Sequence, residues 1–260
     1  MSHPFKLGAK KPVVLPNQPM LNRCKTLINP RAPLTLKRDQ YSPKFQMFDN
    51  DQIGDCSAAG IGNIMIGAEC LHGLSPIITT YNAVDFYSLT TGYNPADPST
   101  DKGAVLSDVL SYAVRNGFTA GYYKYYPIWG TLDCHDRNAL GNAMNILGGV
   151  YCGFALAAAD STSVGEVWDT VTPGDQTQWS WGGHCAVLWS YEGLADTDIV
   201  YIITWGGLQK ATWRWVHARI FEAHAIACRD FLPAVRSPAQ AYTWEEMVEV
   251  TRTFSQSVQG

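Results

Sequence analysis

The stretch that most constrains the fold is residues 49 to 65, DNDQIGDCSAAGIGNIM, where a polar, glycine-containing run ends at Cys56 and an apolar run begins. Apolar residues then recur at helical spacing through Ile61, Ile64, Met65, Ala68 and Leu71, and Gly73 with Pro76 supplies a stop. The spacing predicts a buried helix of about five turns with Cys56 in its first turn. Asp55 stands where an N-cap would, Gly54 permits an unusual backbone approach, and Ser57, Ala58, Ala59 and Gly60 let the first turn pack closely. A cysteine placed there meets unpaired amides and the positive end of the helix dipole, which predicts a thiol pKa drawn down toward the thiolate. The competing reading is a small buried hydrophobe, the commonest fate of a free cysteine.

The elements around this helix fall into a pattern. Residues 1 to 48 carry seven prolines, too many for a helix to grow between them, and read as an extended arm. The arm holds nine of the 19 Lys and Arg against one acid, Asp39, so a basic segment precedes an acidic body. It could dock on that body or reach an acidic partner. Thr79 and Thr80 can cap a helix through Tyr87, and VLSDVLSYAVRNGF closes as a helix at Asn116-Gly117. TGYNPADPSTDKGA reads as a polar surface loop, and AGYYKYYPIWG as an aromatic loop that either lines a binding groove or, the commoner case, buries its rings. Asp136 to Leu147 predicts another helix. GGVYCGFALA, SWGGHCAVLWSYE, DIVYIITWGG and AHAIAC predict strands, with TWRWVHARIF helical or irregular before the last.

Helices first and strands later argue for α+β, with an antiparallel or mixed sheet packed on helices. The expected organisation is an arm at 1–48, a helical lobe at about 49–147, a sheet lobe at about 148–232 and a tail at 233–260. The tail carries a capping-box pattern, Thr243 with Glu246, before a short amphipathic helix. No apolar run is long enough to span a membrane, and no apolar segment follows the basic N-terminus, so a cytoplasmic or virion-associated protein is expected. Seven scattered cysteines without a C-x-x-C pair predict free thiols. Cys134, His135 and Asp136 are adjacent ligand types that cannot converge on one ion without further partners, so neither a metal nor a cofactor is expected. The arm's basic residues alternate with prolines rather than aromatics, which argues against nucleic acid.

A thiol at a helix start needs a base. Of the six histidines, His184 stands out, because it follows Gly182-Gly183 at the head of an apolar strand, where backbone can pass close to it. At these residues the chain resembles the papain-like cysteine peptidase superfamily. GDCSAA resembles the family's nucleophile segment, and GGHCAVLWSYE its histidine strand, with a tyrosine seven residues on. ITWGG resembles its Asn-Ser-Trp-Gly turn, and DKGAVLSDVLSYAVRNGF occupies the place of its second helix. His184 follows Cys56 by 128 positions, close to the family's separation. The resemblance covers about residues 45 to 230.

The resemblance implies a thiol hydrolase of peptide or isopeptide bonds. Cys56 would attack as the thiolate and His184 would shuttle the proton. The Cys56 amide with Asn50, or with Gln52 as the rival donor, would hold the oxyanion, Asp55 would support the thiol's loop, and Trp205 would shield the histidine. Asn50 replaces the family's glutamine six residues before the cysteine on a shorter stem, and one such donor is worth roughly 3 kcal/mol of transition-state stabilisation. Aligning Trp205 with the family's tryptophan puts Ile203 where an asparagine orients the histidine, and strand alternation then turns the Thr204 hydroxyl to the other face. Ile53 stands where many relatives place a structural cysteine. The expected partner is a peptide or protein substrate, with a homo-oligomer or virion neighbour reached through arm and tail. Two alternatives remain: a catalytically silent papain-like module serving as a structural or adhesive component of a phage particle, and a cell-wall endopeptidase of the NlpC type.

Overall fold

A computed structural model describes residues 5–12, 31–74 and 77–228 of the 260-residue chain. The helix predicted from the Cys56 stretch is α1, Cys56–Leu71, and every residue from Cys56 to Glu69 is buried. A helix apolar on all sides belongs in a core. Its glycines are the places where large rings pass: a Cβ on Gly60 would lie 2.9 Å from the Tyr151 ring, and one on Gly62 2.9 Å from Phe48. The helix does not start as its sequence suggests. Asp55 accepts the first helical bonds through its backbone carbonyl, from the amides of Ala58 and Ala59, while its side chain makes no cap hydrogen bond.

Helix α2, Thr80–Thr91, opens with the reciprocal bonds of a capping box between Thr79 and Asn82. Helix α3, Leu106–Asn116, ends at Gly117. The aromatic loop expected next is instead built of strands: β1, Phe118–Ala120, and β2, Tyr123–Tyr125, form a hairpin, and β3, Ile128–Leu132, joins the main sheet. Tyr122 and Tyr123 stand exposed on that hairpin rather than buried under it. Helix α4, Arg137–Leu147, is capped by the Asp136 side chain accepting from the Ala139 amide.

The second half supplies β4, Val150–Leu156, a single turn α5, Ala158–Ser161, and a short edge strand β5, Val167–Trp168. It continues with β6, Gly182–Tyr191, β7, Ile199–Thr204, β8, Gly207–Thr212, α6, Trp213–Arg219, and β9, Ile220–Ala227. Seven strands make one sheet in the order β3-β9-β4-β6-β7-β8-β5. All neighbours run antiparallel except β5 and β8, so the sheet is mixed. Strand β8 was not anticipated, because its inward position is the polar Gln209, which is buried and bonded rather than apolar. Helix α4 packs Leu140, Ala143 and Met144 in the second core, and β3 is shared between the two, with Leu132 in that core and Trp129 against the core of α1.

The central strand β6 divides two cores. Cys185, Val187 and Trp189 face α1, whereas Ala186 and Leu188 face a second core with Trp168, Trp213 and Trp215. The arm is docked on the body wherever it is described. Arg38, 6% exposed, donates to the carbonyls of Met144 and Gly148 at the end of α4 and to that of Trp189. Burial lowers its pKa to about 10. No helix among the described residues is long and apolar enough to cross a membrane, and the expected tail helix lies outside the described residues.

Candidate active site

Helix α1 and strand β6 meet at Cys56. The amide that follows His184, the N–H of Cys185, points at Sγ of Cys56 from 3.4 Å. The thiol therefore sits against the peptide bond joining His184 to Cys185, and the sequence separation of the two candidate residues closes to adjacency. His184 projects from the other face of β6, the face of Ala186 and Leu188. Its ring lies flat on Trp205, with centroids 4.5 Å apart and planes at 20°.

Thr204 corrects the sequence reading. Its Oγ1 lies 2.7 Å from Nε2 of His184, on the face where the sequence reading did not expect it. Strand alternation holds, but the face expected for the orienting position was off by one residue. Ile203 pairs with Val187 and packs in the α1 core, while Thr204 shares the face of Ile202 and His184. The turn after it brings Trp205 back over the ring with a left-handed backbone, φ 45° at Trp205 and 74° at Gly206. With Nε2 engaged, Nδ1 of His184 is buried and has no hydrogen-bond partner.

The two oxyanion candidates separate. Asn50 is 2% exposed, its amide 3.4 Å from the Ile53 carbonyl, whereas Gln52 is exposed on the outside of the loop. Asp55 is wholly buried, and neither carboxyl oxygen has a hydrogen-bond partner. Burial pushes its pKa well above the carboxylate range, and the nearby Asn50 amide only partly offsets this. Burial therefore favours the protonated form of Asp55.

The lowered thiol pKa expected at a helix start does not occur in this state. Cys56 is 1% exposed, and desolvation pushes its thiol up to about 12, against smaller favourable effects from the amides of Cys185 and Gly8. His184, fully buried, is pushed down to about 3 for the same reason. Desolvation outweighs the dipole because nothing charged compensates it. Thiol and imidazole are both neutral.

The arm packs over both residues, with the Gly8 amide reaching Cys56. Residues 5–12 cross the cleft: Phe5 stacks on the outer face of Trp205 at 4.4 Å, and Lys6 approaches Asp101 at 3.5 Å. The amide of Ala9 donates to the Gly183 carbonyl at 2.9 Å. The amide of Lys10 donates to the Ala104 carbonyl and the amide of Ala104 to the Gly8 carbonyl, each at 2.8 Å. Gly54 and Gly183, singled out in the sequence as places of close backbone approach, are approached by this segment. The role of Asp101 was not visible in its polar loop, since only its fold-back toward Gly54 reveals it.

Solved structures share this architecture. Xylellain, a cysteine protease from Xylella fastidiosa, superposes with a TM-score of 0.60 at 14% identity, over 86% of this chain and 96% of that one. Procathepsin B S9 from Trypanosoma congolense gives 0.56 at 12% identity over 85% and 86%. Digestive procathepsin L 3 from Tenebrio molitor larval midgut gives 0.55 at 11% over 77% and 72%. The fold is papain-like. No protein-family model and no curated protein matches the sequence. Cys56 opens α1, and His184 lies near the start of β6.

Proposed function

We propose that the protein is a papain-like thiol hydrolase of peptide or isopeptide bonds, with Cys56 as nucleophile and His184 as the base that takes and returns its proton. The observation that carries this reading is the seating of Cys56 Sγ on the His184–Cys185 amide while Thr204 holds Nε2 of His184 under Trp205. Engaging Nε2 leaves Nδ1 without a partner and a stacked tryptophan limits rotation of the ring; serving the thiol requires the imidazole to reach it around the head of β6 once the arm has left. The Cys56 amide, at the first turn of α1, and the Asn50 side chain are the donors for the oxyanion. Thr204 offers a hydroxyl where a carboxamide would serve equally, and a thiolate nucleophile tolerates a modest orienter better than an alkoxide does.

The hydrolase acts only after residues 5–12 leave the cleft, because a neutral thiol beside a neutral imidazole is a poor nucleophile. The same covering supports a second reading, a catalytically silent module whose buried thiol is structural. Peptide hydrolysis by the full chain carrying Gly8→Ala, which releases the arm, separates the two. The hydrolase reading expects cleavage that Cys56→Ala abolishes and His184→Ala reduces by at least about 100-fold, the usual worth of a positioned base. Cleavage indifferent to Cys56→Ala, or none at all with Cys56 open to alkylation, would leave only the silent module.

A further inference from the structure

The arm is pinched at one residue. A Cβ on Gly8 would lie 2.5 Å from the carbonyl carbon and 2.6 Å from the Cα of Gly54, so no side chain fits there. The opposing surfaces are equally close. A Cβ on Gly103, whose φ is 66°, would come within 2.8 Å of the Gly8 carbonyl carbon, and one on Gly183 within 3.0 Å of the Ala9 carbonyl carbon. Backbone thus meets backbone on three sides, which only glycine permits.

These walls are held in place from behind. The Gly54 amide donates to Oδ2 of Asp101 at 2.9 Å, and the Tyr87 hydroxyl donates to Oδ1 of the same carboxylate at 2.7 Å. The Tyr87 oxygen in turn accepts from the Gly103 amide at 2.9 Å. Tyr87 is fully buried and the Asp101 side chain 4% exposed. One bracket of two side chains therefore ties the loop before the thiol to the loop on the far side of the pinch. On either side of Gly8 the arm carries side chains: Leu7 packs over Gly182, and Ala9 is buried beside Ala104, with its carbonyl against Gly183.

We infer that the cleft is a glycine-reading slot. It takes an extended peptide with glycine at the position facing Gly54, an aliphatic residue before it and a small residue after it, and residues 5–12 are its resident occupant. Tyr87 and Asp101 are positioning residues that set the slot's width. The resident segment is bound without being cut, because the Gly8 amide faces the thiol where attack requires a carbonyl carbon. The inference names the peptide class that the cleft binds in this uncut pose and rests on the proposed hydrolase only for the activity such binding would block, since recognition is readable at the thiol without catalysis.

The test follows alkylation of Cys56 by iodoacetamide in the full chain, resolved from the other cysteines by peptide mass mapping. Gly8→Ala is expected to raise the rate at Cys56 at least tenfold while leaving a cooperative thermal melt. Added peptide Phe-Lys-Leu-Gly-Ala-Lys-Lys-Pro should then restore slow labelling, and the same peptide with alanine for glycine should not. If Gly8→Ala fails to fold, Phe5→Ala combined with Lys6→Ala loosens the arm away from the pinch, and the same two peptides are compared. Tyr87→Phe, which frees the Gly103 wall, should narrow the difference between the peptides. Equal protection by both peptides, or Cys56 as slow in the released variants as in the wild type, would overturn the slot. Glycine discrimination without hydrolysis would sink the enzyme and keep the slot, and hydrolysis without discrimination would do the reverse.

Discussion

The molecule contains two buried polar centres that are built in opposite ways. At Asp160, wholly buried, every charge has an answer: one carboxylate oxygen accepts from the Ala157 amide at 2.7 Å and from Arg219 Nε at 2.8 Å, and the other from Trp215 Nε1 at 2.8 Å. At the thiol, the equally buried Asp55 carboxyl, Ser57 hydroxyl, His184 Nδ1 and Trp205 Nε1 have no hydrogen-bond partner. A centre that only holds the fold is best fully satisfied, whereas unanswered donors and acceptors mark a place kept for something that is not part of the chain. Unpartnered buried atoms also occur at Arg137, Asn142, His217 and Glu222, so the contrast sets these two centres apart without by itself locating the candidate site.

The largest effect should come from breaking the satisfied centre. Asp160→Ala strands the Arg219 guanidinium, whose side chain is 3% exposed, and should cost about 3–5 kcal/mol by urea unfolding. A loss below about 1 kcal/mol would show that the ion pair is screened by water, and the contrast between the centres would fail. Removing Ser57 Oγ by Ser57→Ala should instead be neutral or slightly stabilising, because it deletes an orphan.

Acid should act on the other centre. The folded-state pKa of His184 is depressed from 6.5 to about 3, so its contribution to stability is fully present above pH 6.5 and is lost as pH falls through 3. The shift corresponds to at most about 5 kcal/mol. Urea melts between pH 7 and 3 should therefore fall more steeply for the wild type than for His184→Gln. Parallel profiles would mean that water already reaches the imidazole beneath the arm.

A smaller loss is expected at the hydroxyl that engages His184. Thr204→Val keeps the shape and leaves Nε2 without its partner, which should cost about 1–2 kcal/mol in melts. In the arm-released Gly8→Ala chain it should also slow alkylation of Cys56 and shift its pH profile. Thr204→Asn, with a carboxamide in the same place, should restore both. Labelling unchanged by Thr204→Val would remove the residue from the proposed machinery.

How much of this was legible in the sequence differs between the two sides of the site. The thiol's helix announced itself because a buried helix must be apolar all round, and the histidine's strand because two glycines head a long apolar run. Thr204 was legible as a hydroxyl but not as a partner: the motif alignment gave Ile203 the orienting place, and only the pairing of Ile203 with Val187 shows which face each residue takes. The docking of Gly8 was hidden for a different reason. A proline-rich basic arm advertises no contacts of its own, and the close approach it makes depends on glycines some 46, 95 and 175 residues away in the chain. Asp101 and Gln209 stayed hidden because a buried polar side chain reads as a surface residue until its partners are in place.

The two buried aspartates give the sharpest comparison of the two centres. Asp55 and Asp160 are both wholly buried aspartates, but only Asp55 lacks partners for its carboxyl oxygens, and its pKa is pushed well above the ordinary carboxylate value. For a group raised in the folded state, stability is fully present below the unfolded pKa and drains away as pH climbs through the folded one. Asp55→Asn replaces a neutral acid with a neutral amide of the same shape, so at pH 4 the two proteins should melt within about 1 kcal/mol of each other. As pH rises the wild type must keep Asp55 protonated against a solvent that would ionise it, and the variant need not. The variant should therefore become progressively the more stable between pH 4 and 8. Urea melts that stay parallel across that range would mean that Asp55 is ionised and finds a partner at the thiol, making the two centres alike.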